Sequence, residues 1–332
     1  MKAMQLTSIA PITEAPLELV ELADPIPGPG ELRVRVACCA VCRTDLHVIE
    51  GDLPQNKLPI IPGHQIIGHV DRLGPDCSCF KIGDRVGGAW LRHTCGVCPH
   101  CRSRRENLCE ASRFTGYHAD GGYAEYAIIP EEYAYAIPSV FADTDAAPLL
   151  CAGIIGYRAL KRSNLPRGGT LALYGFGSSA HVVMQIALHR GCRVYVVTRG
   201  INHRELAGKM GAVWVGEHAR EMPMKTDAAI IFAPAGELVP PALERLEKGG
   251  TLALAGITMS DIPALDYEKY VFYERDIHSV TANTRLDGRE LLAEAAEIPI
   301  RPRVTMYPLA EANRVLQDLK ADRINGTAVL TM

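Results

Sequence analysis

Apolar residues follow two different rhythms along this chain. Up to about residue 147 they come in short runs of period two, cut by Gly and Pro. Leu32-Arg33-Val34-Arg35-Val36 alternates, Gly83-Asp84-Arg85-Val86-Gly87 is a short run between turn residues, and Gly122-Tyr123-Ala124-Glu125-Tyr126-Ala127 alternates again. Such alternation predicts half-buried strands, so this stretch reads as a mostly antiparallel β domain with few helices. From about residue 148 the texture changes. Continuous apolar strands at 170–174, 192–198, 212–215, 228–232, 251–255 and 277–281 now alternate with segments of helical spacing. That alternation predicts βαβ units and a doubly wound parallel sheet, an α/β fold class. Past Asp287 the pattern predicts helices over Arg289 to Glu297 and Leu309 to Lys320, and a closing strand over Thr327 to Thr331. The segment 148–168 is expected to carry the crossing between the two domains.

The stretch TLALYGFGSSAHVVMQIA, Thr170 to Ala187, holds the sharpest local signal of the second half. A short apolar run breaks at Gly175-Phe176-Gly177 and resumes with helical spacing, as the strand, glycine turn and helix of a dinucleotide-binding unit do. Gly175 permits the tight turn, Gly177 lets backbone N–H groups approach a pyrophosphate, and Ala180 lets helix and strand pack closely. Ser178 and Ser179 open the helix, whose N-terminus favours negative charge.

Composition narrows the class. The chain has 332 residues, enough for two domains, with 48% hydrophobic and 22% charged residues. A formal net charge of −3 gives no support for a nucleic-acid or membrane surface. The first residues lack the apolar core of a secretory signal, and no apolar run reaches membrane-spanning length. Eleven cysteines, an odd number, without an export signal point to reduced thiols and a cytoplasmic protein.

Four of those cysteines are close in sequence: Cys95-Gly-Val-Cys98-Pro-His-Cys101 and, after seven intervening residues, Cys109. Four thiolates in so short a loop suit a closed, tetrahedral, structural zinc site. His100 is a spare donor that four sulfurs make unnecessary, and Arg102, Arg104 and Arg105 read as a solvated face. A second set is dispersed: Cys42 in Cys42-Arg43-Thr44-Asp45-Leu46-His47, His64 in Pro62-Gly63-His64-Gln65, and Cys151 in Leu149-Leu150-Cys151-Ala152-Gly153. Spacing does not connect these three. Taken singly, Cys151 is a small buried hydrophobe and His64 a residue after a Pro-Gly turn.

Taken together, CRTDLH, the PGH motif running from Pro62 to Gly68, GDRVG, the four-cysteine lobe, GGYAEY, LLCAG and GFGSSA stand in one order along the whole chain. In that order the chain resembles the zinc-dependent alcohol dehydrogenases of the medium-chain dehydrogenase/reductase superfamily, near the cinnamyl-alcohol-dehydrogenase-like branch. The resemblance implies a GroES-like, β-rich catalytic domain over 1–147 with the zinc lobe at 95–109. It implies a Rossmann cofactor-binding domain over 148–286 and a return to the catalytic domain over 287–332. It further implies two zinc ions per chain, a structural one in the lobe and a catalytic one held by Cys42, His64 and Cys151 in a cleft facing the nicotinamide. The fourth position of the catalytic ion is left open, as Lewis-acid catalysis requires.

Roles for other residues follow from the same resemblance. Thr44 and His47 form a proton path, Asp45 orients His64 as second carboxylate–histidine partner, and Arg43 contacts pyrophosphate. Trp90, Phe114 and Tyr117 are candidates for the substrate pocket, equally compatible with core packing. The substrate would be a small alcohol or aldehyde, with neither nucleic acid nor membrane as partner, and the assembly a homodimer or homotetramer through the Rossmann edge.

Two departures from the family pattern matter. Gln65 follows the ligand histidine where Glu is usual, which would leave the metal more Lewis-acidic. And no acid lies between Gly175 and Glu205, where an NAD enzyme places one for the ribose 2′-hydroxyl. Thr198 and Arg199 stand there instead and can receive a 2′-phosphate, so NADP is favoured over NAD. The rival readings are a medium-chain enone or quinone reductase, which would lack the three dispersed ligands, and a zinc-lobe nucleic-acid module, which the net charge opposes.

Overall fold

In the computed structural model, which describes every residue except 55, 56, 258, 299 and 325, the chain forms two units. One comprises Met1–Cys151 and Ala282–Met332, the other Ala152–Thr281; the sequence expectation was 1–147, 148–286 and 287–332.

The first unit contains strands β1 (Lys2–Leu6), β2 (Leu17–Glu21), β3 (Glu31–Ala40), β4 (Gln65–Leu73), β5 (Arg85–Gly88), β6 (Leu91–His93), β7 (Arg113–Phe114), β8 (Tyr126–Pro130) and β9 (Tyr135–Ala136). Its short helices are α1 (Arg43–Glu50), α2 (Pro99–Arg102) and α3 (Asp143–Ala146). The period-two pattern works as alternation should: Leu32, Val34 and Val36 of β3 face the core while Arg33 faces out and pairs with Asp71 at 2.8 Å. β3 is the central strand, hydrogen-bonded antiparallel to both β4 and β8.

The expected strand over Gly122–Ala127 is corrected. Only Tyr126 onward is strand; Gly122, Tyr123 and Glu125 are bends, and Ala124 makes an isolated antiparallel bridge to Ala3. Gly122 is pressed against Ile66 and Cys39, where a Cβ would meet Ile66 Cγ1 at 2.4 Å. The bend also turns Tyr123 wholly inward.

The second unit is a six-stranded sheet of parallel strands. Its helices are α4 (Ala152–Arg162), α5 (Ser178–His189), α6 (Ile201–Lys209), α7 (Val239–Glu244) and α8 (Tyr267–Tyr270). Its strands are β10 (Thr170–Tyr174), β11 (Arg193–Val197), β12 (Trp214–Gly216), β13 (Thr226–Ile231), β14 (Leu246–Leu254) and β15 (Asp276–Ser279). The spatial order β12-β11-β10-β13-β14-β15 reverses direction between β10 and β13, the crevice where open α/β sheets bind ligands. All five strand residues, Thr170–Tyr174, are buried, as a central parallel strand requires.

The chain then rejoins the first unit through α9 (Arg285–Glu297), β16 (Val304–Pro308), α10 (Ala312–Lys320) and β17 (Thr327–Thr331). β17 pairs with β3, extending the sheet. Helix α9 starts four residues before the expected Arg289, because Thr284 and Asp287 form a reciprocal capping box. Gly288 masked that start by breaking the helical pattern; a Cβ there would meet the Tyr135 ring at 2.5 Å.

Candidate active site

Cys42 is the N-cap of α1, His64 closes the turn before β4, and Cys151 follows the 3-10 turn Ala147–Leu150. These three elements bring their ligand atoms within 4.8 Å of one another. Cys42 Sγ lies 3.4 Å from His64 Nε2 and 3.9 Å from Cys151 Sγ. Ligands about 2.3 Å from a tetrahedral zinc stand about 3.8 Å apart, so the donor set fits that ion.

The orientation of His64 is fixed from behind. Its Nδ1 lies 3.0 Å from Asp45 Oδ1, which turns Nε2 toward the two sulfurs. Asp45 Oδ2 accepts the Cys42 N–H at 2.9 Å and the Tyr123 hydroxyl at 3.0 Å. Asp45 thus serves at once as the third residue of the α1 capping box and as the carboxylate behind the histidine. Tyr123 is the residue that sequence reading missed here. Burial, and then the Asp45 charge, push its hydroxyl well above its ordinary pKa, so it stays a donor.

The electrostatics call for a cation. Cys151 beside it and burial both push the Cys42 thiol well above its ordinary value. Burial pulls His64 down, but the Cys42 and Asp45 charges outweigh it and raise the imidazole to about 10. Protons and a metal ion compete for these donors, and a divalent ion neutralises two thiolates.

Around this trio stand the remaining candidates. Thr44, buried, donates its N–H to Cys42 Sγ at 3.3 Å. His47, one turn further along α1, has Nδ1 2.7 Å from Asp52 Oδ2. Arg43 is exposed and forms an ion pair with Asp322 at 3.7 Å. Gln65 is fully buried, and among the described residues neither atom of its amide has a hydrogen-bond partner. Trp90 meets His64 edge-on, ring centroids 5.0 Å apart, and stacks against Phe114 at 4.9 Å and Tyr117 at 5.9 Å. All three aromatics are half-buried, so they form a partly open apolar wall beside the histidine rather than closed core.

The four-cysteine lobe forms a second cluster. Cys95, Cys98, Cys101 and Cys109 place their sulfurs within 4.8 Å of one another, and all eleven cysteines are free of disulfides. Backbone N–H groups of Cys95, Cys98 and Cys101 each donate to a sulfur of the set at 3.4 Å. N–H groups of Val97 and Cys98 hold the Cys95 thiol down at about 6, the thiolate form a metal needs.

In the second unit the glycine turn follows β10 at the switch point. Gly175 has φ +86°, and a Cβ there would come 3.1 Å from the Ala233 nitrogen. A Cβ on Gly177 would enter open space, leaving room into which a pyrophosphate would fit. Gly177 caps α5 without a side-chain hydrogen bond, and the first turn, Ser178-Ser179-Ala180, carries no acid. The donors and shape fit a dinucleotide phosphate. Thr198 is buried at the end of β11, and Arg199 beside it is exposed.

Comparison with known proteins agrees with this geometry. Residues 28–139 match the alcohol dehydrogenase GroES-like domain, and residues 180–297 the zinc-binding dehydrogenase domain. The chain is 52% identical to the probable alcohol dehydrogenase AdhA of Mycobacterium tuberculosis over 99% of its own length and 97% of that protein. It is 36% identical to an alcohol dehydrogenase of Geobacillus stearothermophilus over 95% of its length and 96% of that protein. Among solved structures it resembles the cobalt- and zinc-bound thermostable alcohol dehydrogenase from Pyrobaculum aerophilum. The TM-score is 0.89 and the identity 25%, covering 100% of this chain and 99% of that one. A two-domain fold of this kind with a zinc-type donor set defines a metal-dependent dehydrogenase. The chain belongs to the zinc-dependent alcohol dehydrogenases of the medium-chain superfamily, oxidoreductases that use zinc and a nicotinamide cofactor.

Proposed function

We propose that the protein interconverts primary alcohols and aldehydes, aliphatic or aromatic, with NADP(H) favoured over NAD(H) and two zinc ions per chain. The observation that carries this reading is the convergence of Cys42 Sγ, His64 Nε2 and Cys151 Sγ, with His64 held by Asp45. Three donors leave a fourth position for an oxygen of the substrate, whereas the lobe cysteines fill all four of theirs. Zinc, when bound, would act there as a Lewis acid on that oxygen while hydride passes to or from the nicotinamide. The protein's own groups do the rest. Trp90, Phe114 and Tyr117 receive the apolar body of the substrate next to His64. Thr44 and His47, three positions apart on α1, carry the proton between site and solvent. Asp52 on Nδ1 leaves Nε2 of His47 as the exchanging atom. The enone or quinone reductase alternative has no use for these three donors.

The NADP preference is supported by Arg199, exposed directly after β11, and by the lack of acid up to Glu205. Turnover is followed by nicotinamide absorbance, with benzaldehyde and short aliphatic aldehydes, NADPH beside NADH, each with and without a zinc chelator. Chelator-sensitive turnover with NADPH ahead is expected. Equal or better turnover with NADH overturns the Arg199 reading and leaves the enzyme class standing. Protein holding two zincs that turns over none of these aldehydes overturns the substrate class.

A further inference from the structure

A cavity of about 600 Å³ opens in the first unit, and neither the three dispersed donors nor the lobe sulfurs line it. Its volume is that of a small-molecule site. One wall is the face of α9 that carries Arg285, Arg289 and Leu292, spaced four and three positions apart along the helix. The others are the loop with Cys79 and Phe80 and the segment from Glu131 to Pro138.

Four charged side chains line this cavity, and three of them are already engaged. Glu131, buried, accepts the backbone N–H groups of Ser78, Cys79 and Phe80 at 2.8 to 3.2 Å. Arg285 is held by Glu106 at 3.0 Å and by Glu132 at 3.3 Å. Arg289 is exposed, and among the described residues it has neither an ion-pair nor a hydrogen-bond partner. The second uncommitted donor is the Tyr135 hydroxyl. Tyr135 is only 4% exposed, and among the described residues its hydroxyl has no hydrogen-bond partner, where a buried tyrosine ordinarily finds one. Gly288 lets that ring lie against α9, since a Cβ there would stand 2.7 Å from the hydroxyl oxygen. The two donors are neighbours: burial pushes the phenol pKa up, and Arg289 is the strongest charge acting against that rise.

We infer that this cavity is a second ligand site, for a small apolar monocarboxylate received by Arg289 and the Tyr135 hydroxyl. Its hydrocarbon body would lie on Phe80, Pro138 and the buried Leu292. Two donors with no acceptor beside them select an acceptor, and one uncompensated guanidinium selects a single negative charge. The apolar lining selects a hydrocarbon body over a bare inorganic anion. A cationic ligand is disfavoured, because Glu131 is saturated by N–H groups and Glu132 is paired with Arg285. The site is separate from the one that turns over alcohol, and neither the substrate class nor the cofactor preference bears on it.

Cys79 supplies a local reporter, because it is an exposed free thiol on the cavity wall that a ligand seated there shields. The test is the rate at which iodoacetamide alkylates Cys79 in the whole zinc-loaded enzyme, read by mass spectrometry of the Cys79 peptide. Benzoate is the probe, at constant ionic strength, with benzylamine and benzyl alcohol as bodies of the same size without the carboxylate. Benzoate at ten times its half-saturating concentration is expected to slow alkylation about tenfold, the factor by which a blocking ligand depletes the free site. Benzylamine and benzyl alcohol should leave the rate unchanged. Arg289→Gln should raise the half-saturating concentration by about tenfold or more, as the loss of a charge-assisted hydrogen bond does, and Tyr135→Phe by a smaller factor. Comparing rates with and without benzoate in each variant cancels any change in the thiol's own reactivity. Benzoate that binds the enzyme without protecting Cys79 places the carboxylate elsewhere and overturns the site. Equal protection by benzyl alcohol or benzylamine, or protection by benzoate that is unchanged in Arg289→Gln, overturns the carboxylate assignment.

Discussion

Asp45 accepts hydrogen bonds from the Cys42 N–H and the Tyr123 hydroxyl and faces His64 Nδ1, so one carboxylate sets both a helix start and a ligand ring. Asp45→Asn removes the charge and replaces an acceptor by a donor. Zinc retention against a competing chelator is expected to drop by about ten- to a hundredfold, the usual cost of losing such a partner. Tyr123→Phe deletes only one of the three bonds and should cost about 1 kcal/mol of stability with the metal retained. Wild-type retention in Asp45→Asn would remove Asp45 from the metal site's support. Gln65 is argued on the same scale. Its amide is buried with no hydrogen-bond partner among the described residues, where the family pattern has a carboxylate that would lessen the charge of a bound metal. Gln65→Glu should therefore move the pH profile of alcohol oxidation to higher pH; an unmoved profile would show that this position does not tune the metal.

At the scale of elements, the pair Glu106 and Arg285 ties the zinc lobe to the body of its unit. Glu106 Oε1 accepts from both the backbone N–H and the Nε of Arg285 at the start of α9, at 2.9 and 3.0 Å. Thr94 and the Tyr133 hydroxyl, 2.9 Å apart, make a second link. Glu106→Gln keeps shape and removes charge, and should lower stability by about 1–3 kcal/mol in chemical denaturation. Alcohol turnover at saturating substrate should be unchanged, because neither partner touches the three dispersed donors. What was legible in the sequence divides along the same line. The lobe could be read from Cys95 to Cys109 because all its ligands lie in one short loop, and the glycine turn because strand, turn and helix are contiguous. Cys42, His64 and Cys151 could not be joined by spacing, since they lie on a helix cap, a turn and a 3-10 end that only the closed sheet brings together; family resemblance connected them. Tyr123 was hidden because GGYAEY has the alternation of a strand, while its two glycines in fact make a tight bend that faces the ring inward. The early start of α9 was hidden by Gly288, whose reason, the Tyr135 ring, lies in a distant segment.

At the scale of the whole molecule, the parallel sheet of the second unit ends on one side in β15, four residues of which three are exposed. Parallel sheets are rarely left open to water, and a bare strand edge is a template for pairing. Ile277 on this strand is 36% exposed, and Tyr267, Phe272 and Tyr273 in the preceding segment expose large apolar surfaces as well. The family resemblance implies a homodimer or homotetramer through the Rossmann edge, and a second copy of the chain set strand against strand here would cover this edge and the aromatic segments beside it. A lysine is the residue edge strands use against such pairing. Ile277→Lys should therefore shift the sedimentation behaviour from oligomer toward monomer at micromolar concentration. The parallel pairing of β15 with β14, on the strand's other side, is left in place, so the monomer should keep its far-ultraviolet circular dichroism. An unchanged sedimentation coefficient in well-folded Ile277→Lys protein would place any interface elsewhere. A wild type that is itself monomeric would mean that the exposed edge is tolerated because β15 is only four residues long, short edge strands being another way natural sheets avoid association.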